Sequence, residues 1–285
     1  MLLNPLNIAS FFIISMPFLL VTGPFFSDLG IVIVDIIFIY FLLKNKDFSI
    51  FKNSLFITLL IFNFYISLRS IFADDFFLSF KSAFPYFRFI FFSFAVLYFL
   101  KKKDYLIKYF SISLVLTVVV LCIDAIIQYL LGYNLIGYTI DNPDKLNGLF
   151  GSEAVLGSYL IRLLPLTIVS YFVLFKNKLN TSFHLLLIFF ISLVIFLSGS
   201  RTSFALLIIF LILYFFLFKN IRKYMLFGIL FLTLTVVFAS FFNNKVGHSI
   251  YYNIKDPIRT IFNEDRAVLR DNLKDKKIII FTQVY

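Results

Sequence analysis

Four arginines, Arg69, Arg88, Arg162 and Arg201, carry most of the chemistry that this sequence offers. Arg201 stands at the centre of FLSGSRTSFALLIIF, with apolar runs on both sides and only Ser, Gly and Thr beside it. A guanidinium presents a planar fork of donors that fits a phosphate in two-pronged fashion, whereas a lysine ammonium is a point charge. The two cations are sorted along the chain. Breaks between apolar blocks use lysine almost throughout, as at Lys44, Lys46, Lys52, Lys101, Lys102, Lys103 and Lys108, while the four arginines fall toward the opposite ends of those blocks. An arginine deep in a membrane helix costs about 2.5–3.5 kcal/mol. Snorkelling toward the interface reduces that cost but leaves a need for a partner. Asp35 and Asp124 lie inside apolar runs and could form internal ion pairs. Two carboxylates do not match four guanidiniums one to one. The surplus points to an external anion, and each charged hydrogen bond to it would contribute about 1.5–3 kcal/mol.

A second polar cluster, LNGLFGSEAVLGSYLIRLLPL, runs from Leu146 to Leu166. Glu153 is expected at the start of a helix, where a negative charge is favoured. Ser158 and Tyr159 precede Arg162 by four and three residues, which places all three on one helical face. Gly157 permits close helix contact. Glu153 and Tyr159, together with Ser200 beside Arg201, are the expected supporting residues around a bound phosphate. Nothing here spells a metal site: there is no D-x-D pair and no Cys/His cluster, and Asp74 and Asp75 are adjacent and do not converge on a helix. Cys122 is the one cysteine, so no internal disulfide can form.

The elements that must position these residues are membrane helices. Hydrophobic residues make up 61% of the 285, Phe alone numbers 43, and mean hydropathy is +0.97. Apolar blocks of about 17–25 residues are long enough to cross a bilayer as helices. About nine spans are expected, near 8–25, 28–43, 53–72, 83–100, 106–131, 153–175, 183–198, 203–218 and 223–242, the second and seventh of them short. The predicted fold is an all-α polytopic transmembrane bundle. By the positive-inside rule the lysine-rich breaks put the N-terminus in the cytoplasm and Arg201 on the outer side. The net charge of +11 reads as topology and an anionic lipid or ligand, not nucleic acid. Residues 1–242 form the membrane domain, and 243–285 an outer segment. In that segment Asp256 and Pro257 make a sound helix start. Ile258, Phe262, Leu269 and Leu273 would form its apolar stripe. Arg259, Arg266 and Arg270 fall beside the stripe, as suits either a surface helix facing phosphates or a solvated one.

GLFGSEAVLGSYLIRLLPL, followed by a span and then LSGSRTSFALLIIF, resembles the O-antigen ligase and polymerase family of bacterial membrane glycosyltransferases. CIDAIIQYLLGYNLIGY, from Cys122 to Tyr138, resembles the segment preceding those motifs. MPFLLVTGPFFSDLGIVIVDIIF resembles the family's opening helix pair, and YFRFIFF around Arg88 its fourth span. The resemblance implies a metal-independent, cofactor-free, inverting transfer of a glycan at the periplasmic face of the bacterial inner membrane. The donor would be carried on undecaprenyl diphosphate. The acceptor would be a sugar hydroxyl, on another repeat unit or on lipid A core. Arg162 and Arg201 match the family's motif arginines, with Arg88 as a third, and would neutralise the diphosphate leaving group.

The family's essential histidine lies late in a large outer loop. The chain ends at IIIFTQVY without such a stretch, so a C-terminally incomplete enzyme that binds donor without turnover is expected. His184 falls on the cytoplasmic side and His248 lacks the motif context, so neither takes that role. The rivals are a flippase of lipid-linked glycans, which would need a polar midplane path and usually an internal repeat, and a non-catalytic protein that binds the carrier.

Overall fold

The computed structural model describes residues 4–139, 145–151, 153–175, 181–217 and 222. Nine α-helices form among them: α1 (Pro5–Leu19), α2 (Pro24–Asn45), α3 (Ser54–Arg69), α4 (Phe76–Ala83), α5 (Phe87–Lys102), α6 (Tyr105–Leu131), α7 (Leu156–Leu174), α8 (Thr181–Leu197) and α9 (Arg201–Leu217). Local chemistry sets most of their ends. Asn4 accepts from the Leu6 N–H at 3.1 Å and Pro5 opens α1. Asn53 accepts from Leu55 and Phe56 to start α3, and Asp75 accepts from Leu78 to start α4. Gly23, at φ +118°, and Pro24 divide α1 from α2.

Five stretches are long and apolar enough to cross a membrane: Pro24–Asn45, Ser54–Phe72, Phe76–Lys102, Tyr105–Leu131 and Leu156–Leu174. Pro5–Leu19, Phe183–Leu197 and Arg201–Leu217 are shorter apolar helices. Large apolar side chains are exposed on many of these faces, for instance Phe64, Leu116 and Val169. Hydrocarbon, not water, is the solvent such surfaces suit. The described residues thus have the architecture of a helical membrane protein.

Three expected boundaries change. The first helix ends at Leu19 instead of near residue 25, because Gly23 and Pro24 start a new one. The second span is not short, since α2 has 22 residues. The fourth is prefaced by the separate eight-residue α4. The expected span 223–242, the tail 243–285, His248 and the Arg259, Arg266 and Arg270 stripe lie outside the described residues.

The chain divides into two compact units, Met1–Val119 with Val169–Lys178, and Val120–Ile168 with Leu179–Tyr285. In the first, α2 and α5 run parallel. Asp28 meets Arg88 near their starts, and Asn45 donates to the Tyr98 hydroxyl near their ends. Between these contacts lies an aromatic core of Phe38, Phe56, Phe94 and Phe99, with Val34, Leu42 and Leu106. Phe56 and Phe94 meet edge to face at 4.9 Å.

In the second unit, α8 and α9 form an antiparallel hairpin. Phe196 packs on Phe204 at 5.5 Å near the turn, and His184 bonds the Tyr214 hydroxyl at 2.7 Å toward the far end. Gly199, at φ +67°, makes the turn. Arg222 closes α9 by donating to the carbonyls of Phe215 and Phe216.

Candidate functional site

Arg201 is the first residue of α9 and is exposed. A cation there opposes the helix dipole, whose N-terminal end already favours negative charge. The arrangement makes sense electrostatically when an anion binds both the guanidinium and the open N–H groups of the first turn. A hydroxyl chain fixes this helix start. Ser200 and Ser203 lie 2.8 Å apart, and Ser203 reaches Ser158 of α7 at 3.2 Å. Ser203 is fully buried, so the chain is a structural clasp more than a wetted surface.

Gly157 explains why α7 can come so close. A β-carbon at that position would overlap the Ser198 hydroxyl and meet the Ser200 Cβ at 3.3 Å. The first turn of α7 therefore presses directly on the turn that presents Arg201. Arg162 lies one helical turn beyond Ser158 and is exposed. Tyr159 is half-buried, its ring against Phe150 at 5.2 Å. The structure thus brings Ser158, Ser200 and the start of Arg201 to one place and sets Arg162 on the adjoining turn of α7.

Glu153 is not where the sequence reading put it. Helix α7 begins at Leu156, and Glu153 sits three residues earlier in a non-helical lead-in, exposed. Its N–H donates to the Phe150 carbonyl at 3.2 Å. The short 3-10 turn at Gly148–Phe150 delays the helix, so Glu153 does not cap it.

In the first unit, Arg88 pairs with Asp28 at 2.9 Å and packs over the Phe89 ring at 4.8 Å. Asp35, one of the two carboxylates expected to pair with the arginines, is not the one that Arg88 bonds. It lies seven residues along α2 from Asp28, buried, and its Oδ1 has no hydrogen-bond partner among the described residues. The correction is geometric: parallel packing sets the start of α5 beside the start of α2, where Asp28 is. Arg69 ends α3, exposed, with its guanidinium 5.9 Å from the Phe72 ring.

Asp124 also departs from its expected role. Its Oδ1 accepts from the Leu135 N–H at 2.9 Å, so it anchors a loop instead of an arginine. Gln128, on the same face, accepts from the Gly148 N–H at 2.8 Å. Asn134 completes the knot by donating to the Gly148 carbonyl and accepting from the N–H groups of Ile136 and Tyr138. All three side chains are buried. Sequence reading missed Asn134 and Asp28; the turn-forming pattern GYNLIGY was the available signal for the first, and nothing local announced the second.

His184 is fully buried and bonded to Tyr214. Tyr214 lies thirteen residues from Arg201 along α9, about 20 Å at the helical rise. No group of three or more His, Cys, Asp or Glu able to hold a metal occurs among the described residues. Compared with known protein families, curated proteins and solved structures, the chain finds no match.

Proposed function

We propose that this chain is an O-antigen ligase- or polymerase-like glycosyltransferase of the bacterial inner membrane, acting on a glycan carried by undecaprenyl diphosphate. On this reading it is polytopic with about nine spans and a cytoplasmic N-terminus, and the arginine-bearing helix ends face the periplasm. Arg201 and Arg162 hold the donor diphosphate; Arg88 at the start of α5 and Arg69 at the end of α3 are the further cations that the first unit offers to the donor. Ser200 and Tyr159 support the site. As the acceptor sugar hydroxyl attacks the anomeric carbon and inverts it, the sugar–phosphate bond breaks, and the guanidiniums take up the charge left on the diphosphate. Neither a metal nor a cofactor has a role in this scheme. The acceptor is a second glycan or a lipid A core sugar.

The observation that carries the reading is the start of α9: a permanent cation at a helix N-terminus, clasped to α7 by the Ser158–Ser203–Ser200 hydroxyls. The test is donor binding by the full chain in lipid nanodiscs, using radiolabelled undecaprenyl diphosphate. Arg201→Lys should weaken binding at least tenfold, about 1.4 kcal/mol, because an ammonium cannot make the two-pronged contact. Equal binding by Arg201→Lys and the parent would leave Arg201 as a topology charge and end the proposal. A second reading, a carrier-binding protein without transferase activity, is favoured by the distance of His184 from Arg201. It predicts the same binding loss with no glycan transfer by the parent protein.

A further inference from the structure

The end of the first unit away from Arg88 has a composition of its own. Along α5, Lys102 lies fourteen residues from Arg88, about 21 Å. Lys44 and Lys46 end α2, whose Phe41 and Asn45 meet Lys102 and Tyr98, and Lys101 and Lys103 flank Lys102; Lys52 precedes α3 and Lys108 lies in the first turns of α6. Two aspartates, Asp47 and Asp104, stand against these seven lysines. None of the seven forms an ion pair among the described residues. Asp47 is turned to its own loop, accepting from the Ser49 hydroxyl at 2.7 Å and the Ser49 N–H at 3.3 Å. Those two bonds, with Lys102 in support, hold its carboxyl below the usual carboxylate range.

Two features separate this surface from a set of loose topology charges. The Lys102 ammonium lies over two rings, Tyr98 at 4.4 Å and Phe41 at 5.1 Å, and Asn45 holds the Tyr98 hydroxyl at 3.0 Å. The charge is therefore held between α2 and α5 instead of trailing in solvent. Lys46 is more unusual. It closes α2 in the left-handed conformation, φ +50°, and is the one non-glycine residue with positive φ among the described residues. Glycine or asparagine takes that position at little cost, and a lysine does not. A strained backbone that keeps a charge where glycine would fit better points to a use for the charge.

We propose that this lysine-bearing end of the first unit is a binding surface for anionic phospholipid headgroups, with Lys46 and Lys102 as its fixed points. The partner follows from the setting: the surface ends two stretches, Pro24–Asn45 and Phe76–Lys102, each long and apolar enough to cross a bilayer, so the phosphates it meets belong to lipids in the adjoining leaflet. The proposal is independent of the donor-binding reading.

The test uses the full chain reconstituted in mixed phosphatidylcholine and phosphatidylglycerol vesicles. Spin-labelled versions of each lipid report the fraction immobilised on the protein. Phosphatidylglycerol should be preferred by at least about fivefold at low salt. The preference should fall toward parity in about 1 M salt, where screening acts within about 3 Å. A quadruple variant, Lys46→Gln, Lys101→Gln, Lys102→Gln and Lys103→Gln, should also lose it, and the matching four-arginine variant should retain it. Lys46→Gly is the sharper probe: it should raise Tm while lowering the preference. Four results would each overturn the proposal: parity at low salt, a preference indifferent to salt, a preference unchanged by Lys46→Gly, or abolition by millimolar inorganic phosphate, which would mark a soluble-anion site.

Discussion

The two units handle polar groups in opposite ways. The first keeps its cations near two ends, Arg88 paired with Asp28 at one and lysines without ion pairs among the described residues at the other, and fills the space between with aromatic rings and the buried Asp35. The second buries polar groups more freely and meets several of them inside: Asp124, Asn134 and Gln128 on backbone groups of Leu135 and Gly148, and Ser203 on two other hydroxyls. The contrast shows what each kind of polarity can do in a helical membrane protein. A charge tolerates loose geometry but must stay near the interface. A hydroxyl or amide can be buried anywhere, provided its partners are met within hydrogen-bond distance.

The contrast breaks most readily at Asn134. Asn134→Ala strips partners from the Gly148 carbonyl and the Ile136 and Tyr138 N–H groups, and should cost about 3 kcal/mol at about 1 kcal/mol per bond. Denaturation in detergent would show it, and a loss below about 1 kcal/mol would mean that water replaces the side chain with ease. Gly157→Ala comes next, at about 2 kcal/mol, because the new methyl group must displace Ser198. Ser198→Gly should recover part of that loss in the double variant. If it recovers none, the strain lies elsewhere in the α7 contact.

In the first unit the expected effects are smaller. The Asp28–Arg88 pair is partly exposed, with side chains at 39% and 28%, so a double-mutant cycle should return a coupling of only about 0.5 kcal/mol. A coupling of several kcal/mol would mean that the pair is effectively desolvated, and would erase the distinction drawn between the units. The smallest effect is at Asp47. Its carboxyl is held below the ordinary value of 3.8, so the stability it adds is present above the unfolded value and is lost as pH falls through the lower folded one. Asp47→Asn should therefore lower Tm slightly at neutral pH, with the difference from the parent vanishing in acid as the parent carboxyl protonates, so that the acid end of the profile flattens. An equal change at neutral and acid pH would mean that the Asp47 side chain acts through shape instead of charge.

Much of this was legible in the residues. The apolar blocks marked the helices, and the sequence placed Arg69, Arg88 and Arg201 toward helix ends, where the structure has them. The i, i+4 spacing puts Asp124 and Gln128 on one face, as found, and their partners are the N–H groups of Leu135 and Gly148. Glu153 was misplaced because a glycine-rich 3-10 turn competes with helix at Gly148–Phe150, and propensity does not decide between them. The length of α2 was underestimated because the first span was carried through Gly23 and Pro24, which in fact begin α2.

Hydropathy, helix caps and the sorting of lysine from arginine are properties of neighbouring residues, and a linear sequence contains them whole. Which aspartate meets Arg88, which hydroxyl fills the space left by Gly157 and which amide closes the loop after α6 are separations of 60, 41 and 14 residues. Those distances collapse only when helices choose their packing faces, and hydrogen bonds and steric contact, which act over a few ångströms, then select the partners.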